Sequence, residues 1–288
     1  MEVRRYEDPA VWLADAMPLL AADEPRHNLL FGIADRLIRG QGFDEHRLWL
    51  AMAGGAPVGA LLQTPPYRVV LARPATEDAL DALVEAALAE HPMVPGVHGV
   101  RPEVVAFADR WRERTGDAVT EGMAQGIYEA RAVSDVPAPP DGAPRRATTT
   151  DLDTLFPMVE AFADEALAAA DAVRDREREL STTRDRLTAE PEVAGMWVWE
   201  VDGAIVSLTG HAGRTPSGIR IGPVYTPPEH RGRGYATALV HAQTAWLLAE
   251  AVDVCFLYTD LGNPTSNAVY RRIGYRKVGE ATEFAFAR

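Results

Sequence analysis

The sequence has 288 residues, of which 47% are hydrophobic, and a formal net charge of −13 at pH 7. This length favours two domains over one, and the hydrophobic content is enough to fill a core in each. So strong a negative charge argues against nucleic-acid binding, which depends on clustered cations, and favours a cationic or amine-bearing ligand through long-range steering.

Cysteine content and hydropathy indicate the compartment. The single cysteine, Cys255, cannot form an internal disulfide, and it lies in an apolar segment typical of a protein core. No run of about 18 uncharged apolar residues is present, and Met1 is not followed by a signal-peptide pattern. We therefore expect a cytoplasmic protein without a membrane partner, as a monomer or a homodimer.

The N-terminal half alternates between strand and helix patterns. Asp8 is expected to cap a helix with Pro9 at its first position, and Gly54-Gly55 is expected to form a hairpin turn. Strands are predicted at 3–6, 47–53, 57–63, 67–72, 97–100 and 118–130, and helices at 9–22, 23–39, 76–90 and 103–114.

A proline-rich linker, 134–144, separates this half from the C-terminal half. Asp151 is expected to cap a helix that runs to about 170, and the alternating charges of 174–179 indicate a solvated helix face. Asp202-Gly203 predicts a two-residue hairpin turn. Further strands are predicted at 146–149, 196–201, 204–211, 219–226 and 254–259, and a further helix at 235–251.

One stretch of the C-terminal half carries a binding signal. The strand at 219–226 is followed by a turn at Pro227-Pro228, a basic glycine-rich loop and a long helix. Such an arrangement directs several backbone N–H groups and the positive end of the helix dipole at one spot, which is typical of a phosphate or pyrophosphate site. The spacing fits neither the three-glycine dinucleotide pattern nor a P-loop.

The loop sequence Arg231-x-x-Gly234-x-Ala236 resembles the acyl-CoA signature of the GNAT superfamily of N-acyltransferases. Downstream, Asn263 in a turn, a short helix carrying Tyr270, and Gly274-Tyr275 match the family's pattern in the same order. The resemblance covers about 145–288.

This resemblance implies an α+β fold with two tandem GNAT-like domains, each a mixed, mostly antiparallel sheet flanked by helices. Residues 1–133 would be a degenerate GNAT-like domain, and 145–288 the catalytic one. In the N-terminal half the corresponding loop lacks glycine, and Glu77 and Asp78 in the first helical turn would repel an anion, so one acetyl-CoA is expected per chain. The alternative is one large domain with an N-terminal extension of unrelated fold.

The resemblance also assigns the residues of the site. A bulge at Gly222-Pro223 would splay neighbouring strands, so that the main chain of Val224 and Tyr225 pairs with pantetheine and polarises the acyl carbonyl. Tyr270 would be the general acid for the departing thiolate, the alternative being a buried structural tyrosine. The residues expected to contact acetyl-CoA are Val224, Tyr225, Arg231, Gly232, Arg233, Gly234, Tyr235, Ala236, Asn263, Ser266 and Asn267.

No general base stands out. His211, Glu200, Asp260 and Glu283 are on or near predicted strand ends and could hold a water molecule, and no metal site is predicted. The implied reaction is transfer of an acetyl group from acetyl-CoA to a primary amine of a small, cationic molecule by direct attack. A protein or peptide N-acetyltransferase and a non-catalytic acyl-CoA sensor remain as alternatives.

Overall fold

The structure is a computed structural model that describes residues 1–90, 93–135, 139–167 and 175–287, apart from the side chains of 166 and 167. It divides into two compact units. Unit 1 consists of Met1–Ile127 and Val278–Arg288, and unit 2 of Tyr128–Lys277. The C-terminal segment of the chain therefore belongs to the same unit as the N-terminal half.

Unit 1 contains four helices among its described residues, α1 (Pro9–Ala21), α2 (Glu24–Ile38), α3 (Glu77–Leu88) and α4 (Glu103–Thr115). Its strands are β1 (Glu2–Tyr6), β2 (Arg47–Ala53), β3 (Ala56–Gln63), β4 (Val69–Leu71), β5 (Gly96–Val100), most of β6 (Ala118–Ala130) and most of β12 (Arg276–Ala287).

The sheet of unit 1 is mixed and mostly antiparallel, in the order β1-β2-β3-β4-β5-β12-β6. β4 and β5 are parallel and are joined through α3, which is a strand–helix–strand crossover within 47–100. The strand–helix–strand crossover that the predicted tandem arrangement requires in the N-terminal half is therefore present.

Local signals in unit 1 act as the sequence predicts. The Asp8 side chain accepts a hydrogen bond from the Ala10 N–H at 2.7 Å, and Pro9 opens α1. Alternate residues of β2 face opposite sides of the sheet, so Trp49 packs with α3 and α4 while Leu50 packs with α1 and α2. The core of unit 1 therefore lies on both faces of its sheet.

Unit 2 begins with the last residues of β6, Tyr128–Ala130. Its further strands are β7 (Ala143–Arg146), β8 (Gly195–Val201), β9 (Ala204–Arg214), β10 (Gly218–Tyr225) and β11 (Val254–Asp260). Its helices among the described residues are α5 (Leu152–Leu167), α6 (Arg176–Thr188), α7 (Tyr235–Glu250) and α8 (Pro264–Ile273), with short 3-10 turns at Thr149–Asp151 and Pro228–His230.

The strand order of unit 2 is β6-β11-β10-β9-β8-β7. β10 pairs with β11 in parallel, whereas β7, β8, β9 and β10 are antiparallel to their successive neighbours. Asp202 and Gly203 both have positive φ in the turn between β8 and β9, as the predicted hairpin requires. The α+β class predicted from the sequence is confirmed in both units.

Each face of the unit 2 sheet has its own core. Ile219 and Ile221 of β10 pack with Val240 and Leu247 of α7. On the other face, side chains of β8 and β9 pack with α5. Cys255 is fully buried in the α7 cluster, and burial raises the pKa of its thiol to about 12, so it is an unreactive core residue.

The structure differs from the sequence prediction in two places. β7 spans 143–146, so it includes the end of the predicted linker 134–144 and precedes the strand expected at 146–149. β12 was not predicted, although it has a strand-like sequence near its end. The linker residues 136–138, and the predicted helix end and charged run within 168–174, lie outside the described residues.

No helix among the described residues combines the length and the apolar character needed to cross a membrane.

Candidate functional site

The main feature of unit 2 is a gap between parallel strands. β10 pairs with β11 at Gly218, Ile219 and Arg220, and along these two fully described strands the pairing ends there. On its other side, β10 shifts register against β9 between Ile221 and Val224. The predicted bulge at Gly222-Pro223 is confirmed, and Gly222 accommodates it with a φ of +145°, which disfavours a side chain.

Beyond the bulge, Val224 and Tyr225 pair with β9 but not with β11. The Ser207 hydroxyl fixes this end of β10, because it donates to the Tyr225 carbonyl at 3.1 Å and shares a 2.9 Å hydrogen bond with the Thr226 hydroxyl. Burial raises the pKa of the Tyr225 side chain. The main chain at Val224 and Tyr225 is therefore hydrogen-bonded on the β9 side, whereas its edge towards β11 stays open.

The glycine-rich loop after β10 presents a row of backbone amides. The described residues provide no hydrogen-bond acceptor for the N–H groups from Gly232 to Thr237, and α7 has no side-chain cap. Gly232 and Gly234 have φ of +77° and +86°, and a Cβ at either would find no atom within 4 Å. The free amides and the dipole of α7 thus form an open site for an anion.

Unit 1 lacks such a site at the equivalent helix. The Thr76 side chain caps α3 by accepting from the Ala79 N–H at 3.2 Å, and Glu77 and Asp78 occupy the first turn. These carboxylates already interact favourably with the dipole of α3, so the N-terminus of this helix should bind an anion only weakly. Arg73 in the preceding loop pairs with carboxylates of α4 and of the residue before α2.

The two arginines of the loop differ from their expected roles. The Arg231 guanidinium donates to both Glu165 oxygens at 2.6 and 2.9 Å and to the Thr226 carbonyl at 2.8 Å, and it lies over the Tyr225 ring. The Glu165 carboxylate raises the pKa of Arg231. Arg233 is exposed and contacts the Glu229 carbonyl at 3.3 Å. The positive charge of Arg231 is thus partly neutralised by Glu165. The backbone amides are therefore the main hydrogen-bond donors that the loop offers to an anion.

The turn after β11 is organised by two asparagines. The Asn263 side chain accepts from the Ser266 N–H at 3.0 Å and caps α8. Asn267 is buried: its amide nitrogen donates to the carbonyls of Asp260 and Asn263 at 2.9 and 2.8 Å, and its oxygen accepts from the Tyr128 hydroxyl at 3.0 Å. Asn267 therefore positions the turn, whereas Asn263 is exposed at its surface.

Tyr235 and Ala236, the other two predicted contact residues, begin α7. The Tyr235 side chain is buried in a cluster with Trp197 and Trp199, so it contributes its main chain to the loop site. Ala236 is half-buried at the first turn of the helix.

Tyr270 of α8 is buried, and its hydroxyl has no hydrogen-bond partner among the described residues. Burial raises the pKa of Tyr270 to about 12, so the hydroxyl stays protonated at neutral pH. The neighbouring Tyr275 is also buried, but its hydroxyl shares a 2.8 Å hydrogen bond with Thr244. Of these two tyrosines, Tyr270 has the free proton donor.

The four carboxylate and imidazole candidates for a base are engaged elsewhere. Glu200 pairs with Arg145 at 2.6 Å, Asp260 accepts from the Gly262 N–H at 2.7 Å, and Glu283 lies in unit 1, where it pairs with Arg68 at 3.4 Å. Each of these three carboxylates thus has a partner among the described residues.

His211 is engaged most completely of the four. Its Nε2–H donates to the Pro191 carbonyl at 2.7 Å, and its Nδ1 accepts from Gln243 at 3.0 Å. Burial lowers the pKa of His211 to about 4. The imidazole is therefore neutral and structural.

A residue that the sequence prediction overlooked is Arg220, the last β10 residue paired with β11. Its Nη1 atom is fully buried and has no hydrogen-bond partner in the described structure. Burial lowers the pKa of Arg220. The sequence feature that could have identified Arg220 is a charged residue between two isoleucines in a strand with an apolar pattern.

Comparison with known proteins bears on the C-terminal half. Residues 158–275 match a family model described as the acetyltransferase (GNAT) family. No curated protein matches the sequence at a significant level.

Solved structures resemble the whole chain. A tandem GNAT protein from the clavulanic acid biosynthesis pathway has a TM-score of 0.62 at 17% identity, covering 100% of this chain and 99% of its own. A GCN5-related N-acetyltransferase from Sphaerobacter thermophilus has a TM-score of 0.63 at 21% identity, with coverages of 100% and 96%. A Drosophila protein reaches 0.67 at 14% identity, with coverages of 99% and 98%. At these identities the likeness concerns the fold.

Proposed function

Since residues 158–275 match the model of the GNAT acetyltransferase family, we propose that the C-terminal half of the chain transfers an acetyl group from acetyl-CoA to a primary amine of a small molecule. The catalytic domain predicted at 145–288 would correspond to unit 2, Tyr128–Lys277, which also contains the predicted linker 134–144, and the degenerate domain predicted at 1–133 to unit 1, Met1–Ile127 with Val278–Arg288. The observation that carries the proposal is the run of unpaired amides at the start of α7, directly after the separation of β10 from β11.

These residues fit the pyrophosphate of acetyl-CoA. The N–H groups from Gly232 to Thr237 are free to donate, and the two glycines leave room for close approach to the main chain. The open edge of Val224 and Tyr225 suits the amides of pantetheine, and the exposed Asn263 and the half-buried Ser266 lie at the start of α8. Asn267 would support this site through the turn that it holds.

When bound, acetyl-CoA supplies a thioester carbonyl that the acceptor amine attacks with loss of the thiol. The main chain at Val224 and Tyr225, which pairs with β9, would orient and polarise that carbonyl. The Tyr270 hydroxyl, which is protonated and without a partner among the described residues, would give its proton to the departing sulfur. The engaged state of His211, Glu200 and Asp260 favours deprotonation of the amine through water.

The test is release of free thiol from acetyl-CoA in the presence of polyamines, amino sugars, amino acids and peptides. Turnover with one of the small amines supports the proposal. Turnover with peptides alone would indicate a protein or peptide N-acetyltransferase. Binding of CoA without turnover on any acceptor would indicate a non-catalytic sensor and would overturn the proposed activity.

A further inference from the structure

Arg220 is a charged side chain in the middle of the unit 2 sheet. It pairs in register with Ala212 of β9 and Phe256 of β11, at the point where β10 and β11 separate. Its neighbours Ile219 and Ile221 both pack towards α7. Because successive side chains of a strand face opposite sides, Arg220 faces the side of the sheet that α5 covers.

The charge of Arg220 is not balanced within the described residues. Its Nη1 is fully buried without a hydrogen-bond partner, and the one described titratable group that supports its charge is the Tyr258 hydroxyl. Arg145 of the same unit is the contrast, because Asp151 and Glu200 pair with it and raise its pKa. A guanidinium nitrogen that is buried without a partner is costly, and groups perturbed in this way cluster at functional sites.

A second cation lies on the same face. Arg186 of α6 approaches β9 at Gly210, where a Cβ would lie 3.0 Å from its Nη1 atom. Gly210 is two residues along β9 from Ala212, the partner of Arg220, which corresponds to about 7 Å along the strand. The Arg186 guanidinium thus lies on the same face as Arg220, beside the bulge of β10 at Gly222, and Arg220 is the guanidinium available to pair with a carboxylate.

We propose that Arg220 receives a carboxylate carried by one of the two reactants. This inference rests on the proposed function and narrows its substrate class: either the acceptor carries a carboxylate beside its primary amine, as an amino acid does, or the acyl group does. The net charge of −13 repels anions at long range from the whole surface. Arg220 instead attracts a carboxylate locally, beside the strand edge that would polarise the carbonyl.

The experiment compares reactants that differ by the carboxylate. Acceptors are paired as an amino acid and its decarboxylated amine, for example phenylalanine and 2-phenylethylamine, and donors as succinyl-CoA and acetyl-CoA. We expect the wild-type protein to show a higher kcat/KM for the carboxylate-bearing member of one pair. In Arg220→Met this ratio should fall by about 10- to 100-fold, and in Arg220→Lys by less, because the charge remains.

Arg214→Met is the matched control. Arg214 lies on β9, in register with Ile219, and its guanidinium donates to the carbonyls of Glu192 and Ala251, so its loss should leave the ratio unchanged. Thermal unfolding of each variant checks that the fold is retained. The acceptor pair and the donor pair identify which reactant carries the carboxylate.

Turnover with no preference for a carboxylate in either pair, or a preference that survives Arg220→Met, would overturn the inference and leave the proposed function intact. If no amine of the wider acceptor panel shows turnover, the proposed function fails and calorimetry decides the role of Arg220. Titration with N-acetylphenylalanine, N-acetyl-2-phenylethylamine and succinate needs no catalysis. Carboxylate binding that is lost in Arg220→Met supports the inference, and no carboxylate binding contradicts it.

Discussion

Replacing Tyr270 by phenylalanine removes one hydroxyl that makes no hydrogen bond to the described protein. Because no protein hydrogen bond is lost, the free energy of unfolding should change by less than about 0.5 kcal/mol. If this hydroxyl protonates the departing sulfur, kcat should fall by about 10²-fold, which raises the barrier by about 2.7 kcal/mol. The substitution should therefore lower kcat strongly and leave the free energy of unfolding almost unchanged.

Tyr275→Phe is the control for this prediction. Its hydroxyl shares a 2.8 Å hydrogen bond with Thr244, so the substitution should cost about 1 kcal/mol of stability and leave kcat unchanged. Steady-state thiol release gives kcat, a rapid-mixing experiment shows whether chemistry limits the rate, and urea unfolding gives stability. An unchanged kcat in Tyr270→Phe while chemistry is rate-limiting would refute the acid role and make Tyr270 a structural residue.

Three further predictions follow from the contacts of unit 2. The folded-state pKa of His211, about 4, lies below its ordinary value of 6.5. The stabilisation by neutral His211 should therefore be fully present above pH 6.5, and the free energy of unfolding should decline by up to about 3 kcal/mol towards pH 4. In urea unfolding, His211→Gln should show a flatter dependence of stability on pH. Asn267→Ala should cost about 2–3 kcal/mol in urea unfolding, because buried partners lose their hydrogen bonds, whereas Ser266→Ala should be nearly neutral. Arg231→Met should weaken CoA binding in calorimetry by less than about tenfold, since Glu165 already engages the guanidinium; a larger loss would show a direct role.

The sequence was most informative where local chemistry determines local structure. The glycines of the loop, the bulge at Gly222-Pro223, the cap Asp8 and the turn at Asn263 depend on neighbouring residues, and each is found where it was expected. The α+β alternation of both halves was likewise predictable from strand and helix patterns.

The rest depended on contacts between residues far apart in the chain. The ion pair of Arg231 with Glu165 joins positions 66 residues apart, and no local pattern shows that the loop arginine is engaged. β12 belongs with unit 1 because it pairs with β5, a register that the sequence does not encode locally. The unbalanced charge of Arg220 is visible only once the neighbours of β10 are known.

The central claim, one acetyl-CoA site at the start of α7, is tested most directly by calorimetric titration with CoA. The wild-type chain should bind about one equivalent. Gly234→Glu should abolish binding, because a carboxylate would occupy the anion site. Gly116→Glu is the matched control, since Gly116 has a similar φ of +75° and open surroundings in unit 1, and it should bind as the wild type does. Two equal sites, or CoA binding that persists in Gly234→Glu, would contradict the account.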